Sequence, residues 1–109
     1  MTVKELSEAL NLECLTGDTG LDREVEGGYC GDLLSWVMSR AESGNAWITI
    51  MSNPNIVAVA VLTDVSCIIL CENVSPEDDC LEKAKQQDVV ILKSSMSAFE
   101  LSNKIGNLI

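Results

Sequence analysis

The chain has 109 residues, a hydrophobic fraction of 47% and a net charge of −10 from 17 acidic and 7 basic side chains. That is one domain of sequence with enough apolar side chain to bury a core, which excludes a disordered chain. The acidity, with no basic patch anywhere, sets a long-range field against nucleic acid and anionic membrane surfaces and fits a solubilising surface.

Only four residues are aromatic. A core built from Val, Ile, Leu, Ala and Met favours a parallel sheet covered by helices. Met1-Thr2-Val3-Lys4-Glu5 begins a polar, acidic helix pattern and not a signal peptide. The longest apolar run, Ile56 to Leu62, is far short of the ~20 residues of a membrane span. The expected location is cytoplasmic.

In chain order, Thr2 and Glu5 have capping-box spacing for a helix over residues 2–11, with Val3, Leu6 and Leu10 on one face. Glu13 to Thr16 fits a short strand, and Gly17-Asp18-Thr19-Gly20 is a turn. Val25 to Cys30 is extended and interrupted by Gly27 and Gly28, which suggests a bulge or a close approach of other backbone or ligand. Asp32 is placed to cap a helix over 33–42 with a buried stripe of Leu33, Leu34, Val37, Met38 and Ala41, and Gly44 is the expected stop.

Ala46 to Met51 reads as a strand. The run Ile56 to Leu62 is rich in β-branched residues, yet Asn53-Pro54 starts it as a helix, and the alanines at 58 and 60 agree. Ser66 to Cys71 is apolar on both faces, as a central parallel strand requires. Ser75-Pro76-Glu77-Asp78 opens a helix over 76–87, and Val89 to Leu92 is the next strand. Ser94 or Ser95 is the expected cap of a last helix reaching about Asn107, with Met96, Phe99, Leu101, Ile105 and Leu108 apolar. The reading is therefore a single α/β domain over residues 1–109, a mainly parallel sheet with helices on both faces.

Five cysteines, an odd number set in apolar runs, argue for free thiols acting as small hydrophobes. Histidine is absent, which removes the commonest general base and the commonest partner of a nucleophilic Ser or Cys. Neither G-x-x-x-x-G-K-[ST] nor G-x-G-x-x-G occurs. No catalytic residue, metal or cofactor is expected. In parallel α/β sheets ligands bind where strands end and helices begin. The side chains offered there are Ser52, Asn53, Asn73, Ser94 and Ser95, each of which is also suited to helix capping.

The stretch Asp22-Arg23-x-Val25-x-Gly27-Gly28-Tyr29, followed by Asp32-Leu33-Leu34, resembles the DRTGG domain family. The stretches Trp47–Ile50, Asn55–Ala60 and Ser94–Leu101 are also similar to small stand-alone members, so the likeness spans nearly the whole chain. The literal Asp-Arg-Thr-Gly-Gly string is absent, because Glu24, Val25 and Glu26 separate Arg23 from Gly27.

The resemblance implies a non-catalytic regulatory or interaction module, often homodimeric, that senses a small polar or nucleotide-like ligand or serves a larger protein partner. Related domains accompany phosphotransacetylases and CBS-containing pyrophosphatases, and a similar fold begins HPr kinase/phosphorylase. The alternative is therefore an enzyme or subunit acting on phosphorylated metabolites. Arg23 is the expected ion-pairing residue, across a dimer interface, to an anionic ligand, or to a neighbour such as Asp22 or Glu24. An exposed Trp36 or Trp47 would favour self-association, and burial of both would oppose it.

Overall fold

A computed structural model describes all residues, 1–109. The elements are α1 (Val3–Ala9), β1 (Glu13–Cys14), β2 (Gly27–Cys30), α2 (Leu34–Arg40), β3 (Asn45–Thr49), α3 (Asn55–Thr63), β4 (Cys67–Leu70), α4 (Asp78–Gln86), β5 (Ile91–Lys93) and α5 (Ala98–Leu108). One five-stranded sheet has the order β1-β5-β4-β3-β2. β2 to β5 are parallel, and β1 joins β5 antiparallel with Glu13 opposite Lys93. The expected α/β class, parallel core and single domain are all present.

The three crossovers step in one direction across the sheet, so α2, α3 and α4 land on the same face. Strand alternation then divides the core in two. Trp47, Ile68, Leu70 and Ile91 meet Val37, Ile56, Val57, Ala60, Cys80 and Ala84 on that face. Ala46, Ile48, Cys67, Ile69 and Leu92 meet Val3, Leu6, Leu101 and Ile105 of α1 and α5 on the other. No helix is long and apolar enough to cross a membrane.

The capping box of α1 forms as expected: the Thr2 hydroxyl accepts from the Glu5 N–H at 3.1 Å and the Glu5 carboxylate accepts from the Thr2 N–H at 2.9 Å. Those bonds to Thr2 hold the Glu5 carboxyl below its ordinary range. Residues 56–62 are helical, entered through Asn53, whose Oδ1 accepts from the Asn55 N–H at 2.9 Å.

Four local expectations are corrected. Asp32 does not cap α2; its Oδ1 accepts from the Thr49 hydroxyl at 2.8 Å and the Ile50 N–H at 2.9 Å, because the end of β3 has donors no strand satisfies. The expected stripe of α2 is buried only in part: Val37 is covered and Leu34 and Ala41 pack against the core, but Leu33 and Met38 are 61% and 48% exposed, since α2 covers the sheet's open edge. Ser75 caps nothing; α4 starts at Asp78, and the Ser75 hydroxyl accepts from Lys93 Nζ at 2.6 Å. The last helix is capped by Ser97, whose hydroxyl accepts from the Glu100 N–H at 3.2 Å, and not by Ser94 or Ser95. Gly44 lies beyond the end of α2 at φ +83°, in the turn into β3.

All five cysteines are free. Burial pushes the Cys67 thiol up to about 12 and, with Asp79 and Glu77 nearby, the Cys80 thiol to about 11. Cys30 is exposed on the outer strand. An aromatic disulfide reagent at neutral pH should therefore titrate Cys30 rapidly in the folded protein, with Cys67 and Cys80 reacting only after denaturation. Rapid native reaction of all the thiols would contradict this packing.

Candidate functional site

The C-terminal edge of the parallel strands is knitted by its own loops. After β4 the chain turns through Glu72 and Asn73, both left-handed at φ 58° and 60°. Their N–H groups donate to Met96 O and Ser94 O, each at 2.9 Å, while the Ser94 N–H donates to Leu70 O at 2.9 Å. Asn tolerates this backbone better than most residues, which accounts for its place in the reversal. The Ser94 hydroxyl accepts from the Met96 N–H at 3.0 Å and holds the β5–α5 loop in a tight turn.

Beside this lattice lies an open cleft of about 400 Å³ that gathers Asn73, Ser94 and Ser95 with Lys93, Lys104 and Glu13, and is lined also by Leu10 and Asn11. Lys93 arrives on β5, Lys104 on α5, and Glu13 on the antiparallel strand opposite Lys93. The molecule's ion pairs are Met1–Glu24 and Arg23–Asp64, so neither cleft lysine is paired with a carboxylate within 4 Å. Two cations against one carboxylate leave the cleft locally positive in a chain of net charge −10. Such a cleft can hold an anion bearing several acceptor oxygens.

Ser52 and Asn53 lie apart from it. The Ser52 carbonyl accepts from the Glu77 N–H at 3.0 Å, and Asn53 starts α3. The five expected ligand residues thus divide into three in the cleft and two on the β3–α3 loop.

The charged stretch near the N-terminus is a staple. The Arg23 guanidinium donates to Val65 O and Asp64 O, each at 3.1 Å, and its Nη1 sits 3.2 Å from Asp64 Oδ1. It ties down the chain just past the end of α3, where Asp64 is left-handed and its carbonyl also accepts from the Gly44 N–H at 3.0 Å. The Ser43 hydroxyl bond to Asp64 and the Arg23 charge hold the Asp64 carboxyl below its ordinary range. The ion pair is intrachain, and its partner is Asp64, not Asp22 or Glu24. Asp22 is exposed beside it. The Glu24 carbonyl accepts from the Ser66 hydroxyl, and Val3 N–H donates to Arg23 O at 2.9 Å, which ties the N-terminus to the sheet.

At Gly27 a Cβ would lie 3.0 Å from Asn45 Nδ2, a tight contact that a shift of a few tenths of an ångström in the Asn45 amide relieves; at Gly28 the nearest atom is 3.6 Å away, an ordinary contact. Gly28 and Tyr29 line a smaller cleft of about 270 Å³ against Ser102 and Gly106 of α5.

The DRTGG domain family model matches residues 5–108. The chain belongs to the DRTGG domain family. No curated protein matches it. Among solved structures it is similar to the CBS and DRTGG domains of the regulatory region of Clostridium perfringens pyrophosphatase, complexed with the activator diadenosine tetraphosphate. The TM-score is 0.72 at 15% identity, over 94% of this chain and 44% of that one, so this DRTGG domain spans less than half of that chain's length.

Lys93, Lys104 and Glu13 are the cleft residues of this DRTGG domain that the reading of its sequence missed. The available signal was the pair of lysines flanking the Ser94-Ser95 loop. Placing them together requires the pairing of β1 with β5, which joins residues 80 positions apart.

Proposed function

We propose that this DRTGG domain is a non-catalytic regulatory module, working as a homodimer, that senses a small anionic, nucleotide-like ligand in the Lys93–Lys104 cleft. The observation that carries the proposal is the convergence of two carboxylate-free lysines with Asn73, Ser94 and Ser95 in one cleft of an acidic protein. The nucleotide activator named with the pyrophosphatase regulatory region, a polyphosphate, belongs to the same ligand chemistry. Lysines serve such anions as mobile point charges, and serine and asparagine side chains supply the shorter hydrogen bonds.

Calorimetric titration with pyrophosphate, ATP and the uncharged nucleoside adenosine tests this. Phosphate-bearing compounds should bind and adenosine should not. Lys104→Gln and Lys93→Gln should each weaken binding about tenfold or more, as expected for loss of a charge-assisted hydrogen bond of ~1.5–3 kcal/mol. Added salt should weaken it further. Absence of binding by every phosphate compound would overturn the ligand reading, and turnover of any of them would overturn the non-catalytic one.

A further inference from the structure

We infer that the Lys93–Lys104 cleft takes its anion as a magnesium complex, the Glu13 carboxylate serving the metal and the two lysines serving the phosphate oxygens. This deepens the function proposed above and rests on its anion-binding reading. The observation that points to it is a carboxylate in a cleft otherwise built for anions. Glu13 lines that cleft with Lys93, Lys104, Asn73, Ser94 and Ser95. A bare phosphate entering there is repelled by it.

No cation of the chain neutralises that carboxylate. Glu13 stands directly opposite Lys93 in the antiparallel pairing of β1 with β5, a placement from which opposite charges can meet across a sheet. They do not meet. The ion pairs of the molecule are Met1–Glu24 and Arg23–Asp64, and the Lys93 ammonium donates instead to the Ser75 hydroxyl at 2.6 Å. Glu13 is exposed, so its oxygens are open to a cation that arrives with the ligand.

The donor set suits magnesium. That ion prefers hard oxygen ligands, keeps several waters, and is held through one or two carboxylates together with phosphate oxygens. Glu13 supplies the carboxylate. Asn11, left-handed at φ 54° in the turn between α1 and β1, lines the same cleft and offers an amide oxygen. No group of three or more His, Cys, Asp or Glu side chains is placed to hold a metal ion by itself. The phosphate must therefore bring the metal and most of its ligands.

Two lysines acting alone set the opposite preference, because magnesium cancels part of the charge that attracts them. Calorimetric titration of the full chain with pyrophosphate separates the two cases, once in excess magnesium chloride and once in EDTA at matched ionic strength. The wild type should bind magnesium pyrophosphate at least about tenfold tighter than the free anion. Glu13→Gln, an isosteric change at an exposed position, should reverse that order, losing affinity for the magnesium complex and gaining it for the free anion. Wild-type binding that is equal or weaker with magnesium would overturn the inference and leave the anion cleft standing. So would an undiminished magnesium preference in Glu13→Gln. Pyrophosphate binding in neither medium would overturn both.

Discussion

Trp47→Ala should destabilise the domain by about 3–5 kcal/mol, the range for truncating a large buried aromatic side chain. Trp47 is fully buried at the centre of the sheet, packed with Val37, Ile68 and Leu70 beneath α2 and α3. Its indole N–H donates to the Gly31 carbonyl at 2.9 Å, which fixes the end of β2. The truncation opens a cavity under the crossover helices and leaves that carbonyl unsatisfied. Against the ~5–15 kcal/mol stability of an ordinary domain, that is a large share. Trp47→Phe keeps most of the volume and should cost much less. Urea unfolding followed by circular dichroism measures both, and a loss under about 1 kcal/mol for Trp47→Ala would contradict this packing. The fluorescence remaining in Trp47→Phe, from the half-exposed Trp36, should be red-shifted relative to wild type.

Arg23→Met should cost about 2 kcal/mol. Most of it comes from two hydrogen bonds between a charged donor and the carbonyls of Asp64 and Val65. The Asp64 ion pair adds little, because its side chains are 39% and 61% exposed and solvent screens them. Arg23→Lys should recover only part of the loss, since an ammonium cannot span both carbonyls as the guanidinium fork does. The Asp64 carboxyl is depressed in the folded protein, so its contribution is present above its unfolded pKa, near 4, and is lost as pH falls through the folded value. The gap between wild type and Arg23→Met should accordingly narrow in acid. An Arg23→Met variant as stable as wild type at neutral pH would show that the family-marking arginine is not the staple of α3.

The fold was legible where local signals agreed. Pro54 and two alanines outweighed the β-branched residues of α3, and the uninterrupted apolar run of β4 marked the central strand. Legibility failed where a side chain had two eligible partners. Asp32 suits a helix cap, but the unsatisfied end of β3 lies closer, and only the β2–β3 register reveals that. Ser97 with Glu100 has capping spacing visible in the sequence, and the adjacent Ser94-Ser95 obscured it. At the candidate site, Asn73, Ser94 and Ser95 followed from the rule for strand ends. The two lysines did not, because the antiparallel β1 and the approach of α5 are set by contacts remote in sequence. Arg23 forms an ion pair, but with none of the partners its neighbourhood offered: Asp64 is 41 residues away, beyond local reach.

The most direct test of the anion cleft is an amide chemical-shift titration of the isotope-labelled protein with pyrophosphate. The cleft predicts saturable shifts centred on Asn73, Ser94, Ser95 and Lys104 that disappear in the Lys93→Gln, Lys104→Gln double variant. Shifts centred elsewhere, shifts unchanged in that variant, or no shifts at all would contradict it.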